Sequence, residues 1–328
     1  MLNSELKLNT KMFDEKVEQL PTRQGFGEGL LEAGEKNENV VGLCADLVES
    51  TKMNLFAEKF PKRFIEMGVA EQNLASVASG MAAMGKIPFI SSYAMFNPGR
   101  NWEQIRTTIC YNNQPVKIVG SHTGVSVGPD GGTHQAIEDI AITRVIPRMV
   151  VISPCDSLEA KKATLAASET GTPVYLRLAR EKTPIMTTAR TPFKIGKAQI
   201  FWESKAPKAG IIATGTLLHK AMQAAKELEE EGIETEVMNL STIKPLDEEG
   251  ILNFAKRVKK LVTVEEHQVS GGMGSAVAEY LAQVYPVPIE FIGVQDEFGQ
   301  SGTPDELIEH YGMGKGAIIK AVRKVAKR

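Results

Sequence analysis

Residues 64–85, FIEMGVAEQNLASVASGMAAMG, join a short apolar run to a longer helix-forming segment. The run at 64–69 predicts a buried strand, and the segment at 70–85 predicts a helix. Glu71 lies in the first turn of that helix, where the helix dipole favours a negative group. It also lies just after a strand, where α/β proteins bind ligands. Glu71 is therefore a candidate binding residue, although a glutamate at such a position is more often only a first-turn acid.

The same alternation of apolar runs and helical segments continues along the chain. Further strands are predicted at 40–46, 87–96, 116–122, 149–154 and 173–179, and again at 209–215, 235–241, 261–267 and 289–296. Amphipathic segments such as 157–169 and 218–232 lie between them, and Gly232 is typical of the position after a helix. Strands and helices in alternation predict the α/β fold class, with parallel sheets.

A break in this pattern divides the chain. Residues 181–197, EKTPIMTTARTPFKIGK, contain Thr and Pro and have little periodicity, so we interpret them as a linker. A length of 328 residues is typical of two domains. We expect a first domain at 1–185, a linker at 186–197 and a smaller second domain at 198–328.

Bulk composition argues against several classes of protein. The formal net charge of -2 gives no reason to expect nucleic acid or an anionic membrane as a partner. The chain also has no run of ~20 apolar residues that would predict a membrane span. Residues 1–20 lack the pattern of a signal peptide. Cys44, Cys110 and Cys155 are scattered, which predicts neither a disulfide framework nor a metal site. Buried, inert thiols are expected for Cys44 and Cys155, and a reducing cytoplasm fits best.

A glycine-rich loop carries further candidate side chains. Residues 121–139, SHTGVSVGPDGGTHQAIED, contain His122, Asp130 and His134. Glycine lets a backbone approach a ligand closely, and polar residues on such loops are often functional. Two histidines without a third nearby ligand make zinc a weak hypothesis. A surface loop with incidental histidines stays an alternative.

Two aromatic residues end the apolar run that starts at residue 87. They are Tyr93 and Phe96, within ISSYAMFNPGRNWEQIR at 90–106. Their faces could sandwich a flat heterocycle, and packing in the core is the ordinary alternative.

These segments together resemble a known family. GVAEQ, YAMF, the loop at 121–139 and RVIPRMVVISPCD at 144–156 follow one another as in the pyrimidine-binding domain of transketolase. The segments at 213–247 and VEEHQVSGGMG at 264–274 resemble the C-terminal domain of that family. The resemblance extends from about Arg23 to Gly314. It implies a pyrimidine-binding thiamine-diphosphate fold, a parallel sheet with helices on both faces, followed by a smaller α/β domain.

The resemblance also implies a coenzyme and the residues that bind it. Glu71 corresponds to the glutamate that shares a proton with N1′ of the aminopyrimidine of thiamine diphosphate. Tyr93 and Phe96 correspond to the aromatic residues that stack on that ring. Where the family often has a further aromatic residue, this chain has Gly99, with Arg100 next. Asp46 is expected to shape a loop or the coenzyme site.

The reaction implied is transfer of a two-carbon ketol unit from a ketose phosphate, xylulose 5-phosphate, to an aldose phosphate, ribose 5-phosphate, in pentose phosphate metabolism. By the same resemblance His134 contacts oxygens of the two-carbon unit and, with Glu71, forms the catalytic set. The resemblance also implies that Asp130 contacts a hydroxyl of the sugar chain. Four residues match the set that binds the phosphate: Arg23, Ser50, His122 and Arg180.

One part of a full transketolase is not found in the sequence. The GDG motif and the downstream Asn that hold the diphosphate and Mg²⁺ are missing, and the ~20 residues before Arg23 are too few for another domain. We expect a partner chain to bind the diphosphate with Mg²⁺ or Ca²⁺, and the initiating Met1 favours a natural subunit over a fragment. The helix at 70–85, rich in small residues, suits self-association, with a buried intradomain helix as the alternative. We therefore expect a two-plus-two heterotetramer, with two copies of this chain and two of the partner.

Alternative functions share this fold. A deoxyxylulose-phosphate synthase-like chain and a 2-oxo acid dehydrogenase β subunit would both resemble GVAEQ, but paired His122 and His134 suit a phosphosugar better than pyruvate. Relatives directed at erythritol, apiose or sulfosugars are not distinguished. A scaffold or regulatory relative is the non-enzyme alternative. For His267 a satisfied structural histidine is expected, with an approach to the interface as the alternative.

Overall fold

Seven strands form the largest of three sheets in the computed structural model, which describes all 328 residues. Numbered in chain order and given in their order across the sheet, they are β12 (Thr242–Lys244), β6 (Val150–Ile152), β7 (Val174–Arg177), β5 (Lys117–Ser121), β4 (Ile87–Tyr93), β2 (Val40–Cys44) and β3 (Phe64–Glu66). All neighbours pair in parallel except β12, which pairs antiparallel with β6.

Helices cover both faces of this sheet. They are α1 (Thr22–Lys36), α2 (Asn54–Lys59), α3 (Glu71–Ala83), α4 (Trp102–Gln104) continuing as a π-helix (Ile105–Tyr111), α5 (Asp139–Arg144) and α6 (Ser157–Ser168). Because successive side chains of a strand point to opposite faces, Val40 and Cys44 of β2 pack in the cluster with α1 and α6. Val41 and Leu43 pack in the cluster with α3. Strands buried on both faces explain the continuous apolar runs of the sequence.

The second sheet has five strands. In order across the sheet they are β14 (Ile289–Val294), β13 (Leu261–Gln268), β10 (Ala209–Ala213), β11 (Thr235–Asn239) and β9 (Gln199–Trp202). Only β9 runs antiparallel to its neighbour. Its helices are α7 (Leu218–Glu230), α8 (Glu248–Val258), α9 (Met273–Val284), α10 (Pro304–His310) and α11 (Lys315–Ala326). Ile211 faces α7 and α11, and Ile212 faces α8 and α9, so this sheet too is covered on both sides.

Short elements complete the chain. Strands β1 (Gln19–Pro21) and β8 (Lys182–Pro184) form an antiparallel ribbon, and 3₁₀ turns lie at Pro61–Arg63, Val125–Asp130 and Gly215–Leu217. None of the helices combines the length and apolar character needed to cross a membrane. All three cysteines are buried and free. Burial raises the pKa of the Cys44 thiol to about 11 and that of Cys110 to about 12, so both thiols stay protonated at neutral pH.

The predicted α/β class is confirmed, and each predicted strand is present. Gly232 has φ +78°, as its predicted place after a helix requires. The interpretation of 181–197 as linker is wrong at its start, because Lys182–Pro184 forms β8. Strands β9 and β12 were not predicted. The division into domains at 186–197 stays a prediction.

Candidate functional site

Glu71 is the first residue of α3, and only 1% of its surface is exposed. Its carboxylate has two partners. The Arg100 guanidinium donates from Nη1 to Oε2 at 2.6 Å, and the Ser92 hydroxyl of β4 donates to Oε1 at 3.3 Å. The backbone carbonyl of Glu71 accepts from Asn101 Nδ2 at 3.0 Å. A buried carboxylate therefore stands at the start of a helix, held by its neighbours and charge-compensated by one arginine.

The aromatic pair lies at the end of β4, and both rings are half-buried. Tyr93 stacks on His122 with ring centroids 3.9 Å apart. Phe96 meets His134 edge-on at 5.6 Å. The structure thus brings both predicted aromatic residues together with both predicted histidines, although the first histidine covers a face of Tyr93.

A strained backbone shapes the glycine-rich loop. His122 has φ +58° and Gly124 has φ +80°, a region that non-glycine residues seldom adopt. The Ser121 hydroxyl lies 2.9 Å from Nδ1 of His122. Burial, with the charges of Arg23 and Arg180, lowers the pKa of His122 to about 3. The imidazole is therefore neutral at physiological pH.

Two arginines meet beside this loop. Arg23, near the start of α1, donates from Nη1 to the Ser50 carbonyl at 2.6 Å and from Nε to the Arg180 carbonyl at 3.3 Å. Arg180 lies 3.6 Å from the Asp130 carboxylate and also donates to the Val127 carbonyl. The predicted anion-binding residues thus share one neighbourhood, with two cationic groups whose charges would favour an anion.

Asp46 lies beside the segment that leads to Glu71. Its φ is +59°, its side chain is exposed, and its backbone N–H donates to Oε1 of Glu66 at 2.7 Å. The same oxygen accepts from the Gly68 N–H at 2.8 Å. Asp46 therefore helps to fix the connection after β3, and no hydrogen bond joins its side chain to the other predicted site residues.

Two asparagines that were not predicted organise the turn after β4. Asn97 is fully buried and donates to the carbonyls of Ile90 and Val119 at 3.2 and 3.1 Å. Asn101 donates to the Asn97 side-chain oxygen at 3.0 Å as well as to Glu71. The run NPGRN at 97–101 predicts a turn, but it does not predict which groups the two asparagines bind.

Glu266 of β13 is a further residue that was not predicted. It is 4% exposed, and its Oε1 accepts from the Ser126 N–H at 2.6 Å. Its neighbour His267 is fully buried; Nε2 accepts from the Ala141 N–H at 3.3 Å, and Nδ1 lies 2.7 Å from the Gln268 carbonyl. The second sheet thus supports the loop, and His267 is a satisfied structural histidine.

A cavity of about 570 Å³ lies apart from Glu71 and the aromatic pair. Its lining includes Ser126 and Glu266, the two residues whose hydrogen bond holds the loop, and it extends to α7 and α10. We place the candidate site at Glu71 and the aromatic pair all the same, because Arg100 links the buried carboxylate to Phe96 and the aromatic rings contact the histidines of the loop. No group of three or more His, Cys, Asp or Glu side chains could hold a metal ion.

Family models match both halves of the chain. The model for the transketolase pyrimidine-binding domain matches residues 18–186, and the model for the transketolase C-terminal domain matches residues 196–318. The fold is that of a two-domain α/β protein, in which a pyrimidine-binding domain is followed by a smaller C-terminal domain. The chain belongs to the transketolase family, which is a family of transferases, and the predicted resemblance is confirmed.

Several relatives match along nearly their whole length. A putative transketolase C-terminal section from Methanocaldococcus jannaschii is 44% identical over 93% of this chain and 96% of its own length. A 6-deoxy-6-sulfo-D-fructose transketolase subunit from Clostridium sp. (strain MSTE9) is 39% identical over 96% of this chain and 98% of its own length. A solved structure described as a split gene transketolase, inactive beta4 tetramer, is 42% identical, with a TM-score of 0.88, over 94% of this chain and 99% of that chain.

Proposed function

We propose that the chain is the C-terminal subunit of a split transketolase. In pentose phosphate metabolism it would transfer a two-carbon ketol unit from xylulose 5-phosphate to ribose 5-phosphate, with thiamine diphosphate as coenzyme. The observation that carries this proposal is the buried Glu71 carboxylate, which is linked through Arg100 to the ring of Phe96 and through Ser92 to the strand that ends at Tyr93.

These residues suit an aminopyrimidine ring. A carboxylate shielded from water can hold a proton at N1′ of the ring, and aromatic faces can pack against its flat sides. When bound, the coenzyme supplies the carbanion-stabilising chemistry. Glu71 positions the proton, and Tyr93 and Phe96 orient the ring and exclude water from it.

The loop side of the site suits a phosphorylated sugar. Arg23 and Arg180 supply the positive charge for a phosphate, and neutral His122 and Ser50 can add hydrogen bonds. His134, whose ring lies against Phe96, would contact the oxygens of the two-carbon unit. Asp130 would accept a hydrogen bond from a sugar hydroxyl.

We further propose that the coenzyme is shared between chains. A partner with the GDG motif would hold the diphosphate and Mg²⁺ or Ca²⁺, while α3 would join two copies of this chain in a two-plus-two heterotetramer. The similar split-gene structure is described as an inactive beta4 tetramer, which supports the need for a second kind of chain. Cytoplasmic location and the domain division at 186–197 belong to the same proposal.

Reconstitution tests this proposal. The chain alone, with thiamine diphosphate and Mg²⁺, should not turn over xylulose 5-phosphate and ribose 5-phosphate, and addition of the co-purified partner should restore activity. Turnover without any second polypeptide would contradict the shared site. Pyruvate should be a poor donor, because it carries no phosphate for the two arginines; preference for pyruvate would favour a deoxyxylulose-phosphate synthase or 2-oxo acid dehydrogenase reaction instead.

A sulfonated donor is the second candidate. The Clostridium relative is described as a subunit acting on 6-deoxy-6-sulfo-D-fructose, and a sulfonate is an anion that the same arginines could bind. Competition between the sulfonated ketose and xylulose 5-phosphate in the reconstituted enzyme decides between the two donors.

A further inference from the structure

The Arg100 side chain lies between the two groups assigned to the pyrimidine ring. Its Nη1 donates to Oε2 of Glu71 at 2.6 Å. Its guanidinium carbon lies 4.6 Å from the centre of the Phe96 ring. One planar cation thus contacts both the acid and an aromatic residue that would receive the coenzyme.

The local backbone places Arg100 there. A Cβ at Gly99 would lie 2.0 Å from the Met95 carbonyl oxygen, so no aromatic side chain can stand at that position. The Arg100 N–H donates to the Phe96 carbonyl at 3.0 Å and closes the turn. Asn101 then ties the turn to the Glu71 carbonyl. The turn thus leaves the Arg100 side chain between Glu71 and the ring of Phe96.

Charge and burial explain why the contact forms. The Glu71 side chain is 2% exposed, and a buried carboxylate without a counter-charge is strongly destabilising. Ser92 offers only one neutral donor at 3.3 Å. The Arg100 side chain is 45% exposed, so its guanidinium can return to water at little cost. The arginine can therefore leave at little cost to itself, but the buried carboxylate needs a new partner when it does.

We infer that Arg100 is a positioning residue that stands in for the aminopyrimidine in the coenzyme-free chain. It compensates and orients Glu71, stacks on Phe96, and leaves the carboxylate when the ring arrives. This inference rests on the proposed coenzyme role of Glu71. A stand-in competes with the coenzyme, so removing it should tighten binding, whereas removing a coenzyme contact would weaken binding.

The first test needs no coenzyme. Thermal unfolding of the chain alone is compared for wild type, Arg100→Gln, Glu71→Gln and the double variant. Arg100→Gln should lower Tm by at least about 2 °C, because the carboxylate loses its counter-charge. The double variant should recover most of that loss. If the loss of Tm in the double variant equals the sum of the losses in the two single variants, the two residues are not coupled and the pairing is overturned.

The second test measures thiamine diphosphate affinity by calorimetry, with Mg²⁺, in the complex with the co-purified partner. Arg100→Gln should bind about fivefold tighter or more. Arg100→Lys, which keeps the charge, should stay close to wild type and covers the case in which the glutamine variant folds poorly. Arg106→Gln, an exposed arginine of the following π-helix, is the matched control and should change nothing.

The outcomes separate this inference from the proposed function. Weaker or unchanged binding by Arg100→Gln overturns the stand-in. If Glu71→Gln leaves coenzyme affinity and turnover intact, the proposed role of the glutamate fails. The unfolding measurements would still show whether Glu71 and Arg100 are coupled in the free chain, because they do not depend on the coenzyme.

Discussion

The Glu266 carboxylate accepts a hydrogen bond from the Ser126 N–H at 2.6 Å, and so the second sheet holds the loop that carries both site histidines. A Cβ at Gly124 would lie 2.2 Å from Oε1 of the same carboxylate. The loop can approach Glu266 only because residue 124 has no side chain. The two halves of the chain therefore shape one site.

Gly124→Ala should destabilise the folded chain by about 1–3 kcal/mol or more, since alanine is strained at φ +80° and overlaps Glu266. Urea denaturation measures this loss. Gly171→Ala is the control, because nothing lies within 4 Å of its added Cβ. Equal stability of the two variants would refute the close approach.

The contribution of Glu159 to stability should fall as pH rises from about 4.5 to about 7, against an opposite contribution from His122 and His267, whose pKa values burial lowers to about 3 and about 4. Burial raises the pKa of this carboxyl to about 7 from an ordinary 4.5, so in this window the folded chain keeps a proton that the unfolded chain has lost. The stabilisation is thus complete below pH 4.5 and gone above 7, a change of up to about 3 kcal/mol.

The Glu159→Gln variant isolates this effect. Burial also raises the pKa of Glu265 to about 7, so the variant should lose only part of the pH dependence. Asn239 donates to Oε1 of Glu159 at 2.8 Å and can turn its unpaired Oδ1 toward the new amide. When the pH is raised from 5 to 7.5, the variant should lose less stability, or gain more, than the parent chain; an equal change in both would show that Glu159 does not titrate in this range.

Glu71→Gln should lower kcat of the assembled enzyme by about 10²–10⁴-fold, because an amide cannot hold the proton at N1′. Steady-state assays with xylulose 5-phosphate and ribose 5-phosphate give this ratio. Glu103→Gln removes an exposed acid of α4 and should leave kcat unchanged. Full activity of the Glu71 variant would support the scaffold alternative or reject the role given to this acid.

Arg180→Ala should raise KM for xylulose 5-phosphate about 10- to 100-fold, because a charge-assisted contact to phosphate is lost. With unphosphorylated xylulose the same variant should behave like the parent enzyme. The exposed Arg190 supplies the control substitution. A similar rise in KM for both sugars would mean that Arg180 shapes the loop, through Asp130 and Val127, and does not read the phosphate.

The sequence predicted the strands that are buried on both faces, because such strands are continuous apolar runs. Strands β8 and β12 escaped prediction for the opposite reason. Each has three residues, and each forms only by pairing with a segment distant in the chain, at Gln19–Pro21 and Val150–Ile152. A pattern within three residues cannot predict pairing with a segment that is distant in the sequence.

The resemblance allowed us to predict Glu71, the aromatic pair and the loop histidines as one site. The aromatic residues and the histidines contact one another, and Glu71 is linked to Phe96 through Arg100. Their chemical roles remain proposals. The contact between Arg100 and Glu71 could not be predicted, because it depends on the tight turn at Gly99. The support from Glu266 likewise depends on how the two sheets pack.

Strand β12 gives the larger sheet its last hydrogen-bonded edge, yet it is encoded far beyond the other strands of that sheet. A ribosome therefore releases β2 to β7 well before β12 can join them. Until then β6 presents unpaired N–H and C=O groups, which invite pairing with other chains. During synthesis the nascent first half is consequently exposed to misassembly through β6, and the arrival of Thr242–Lys244 covers that strand with a three-residue edge.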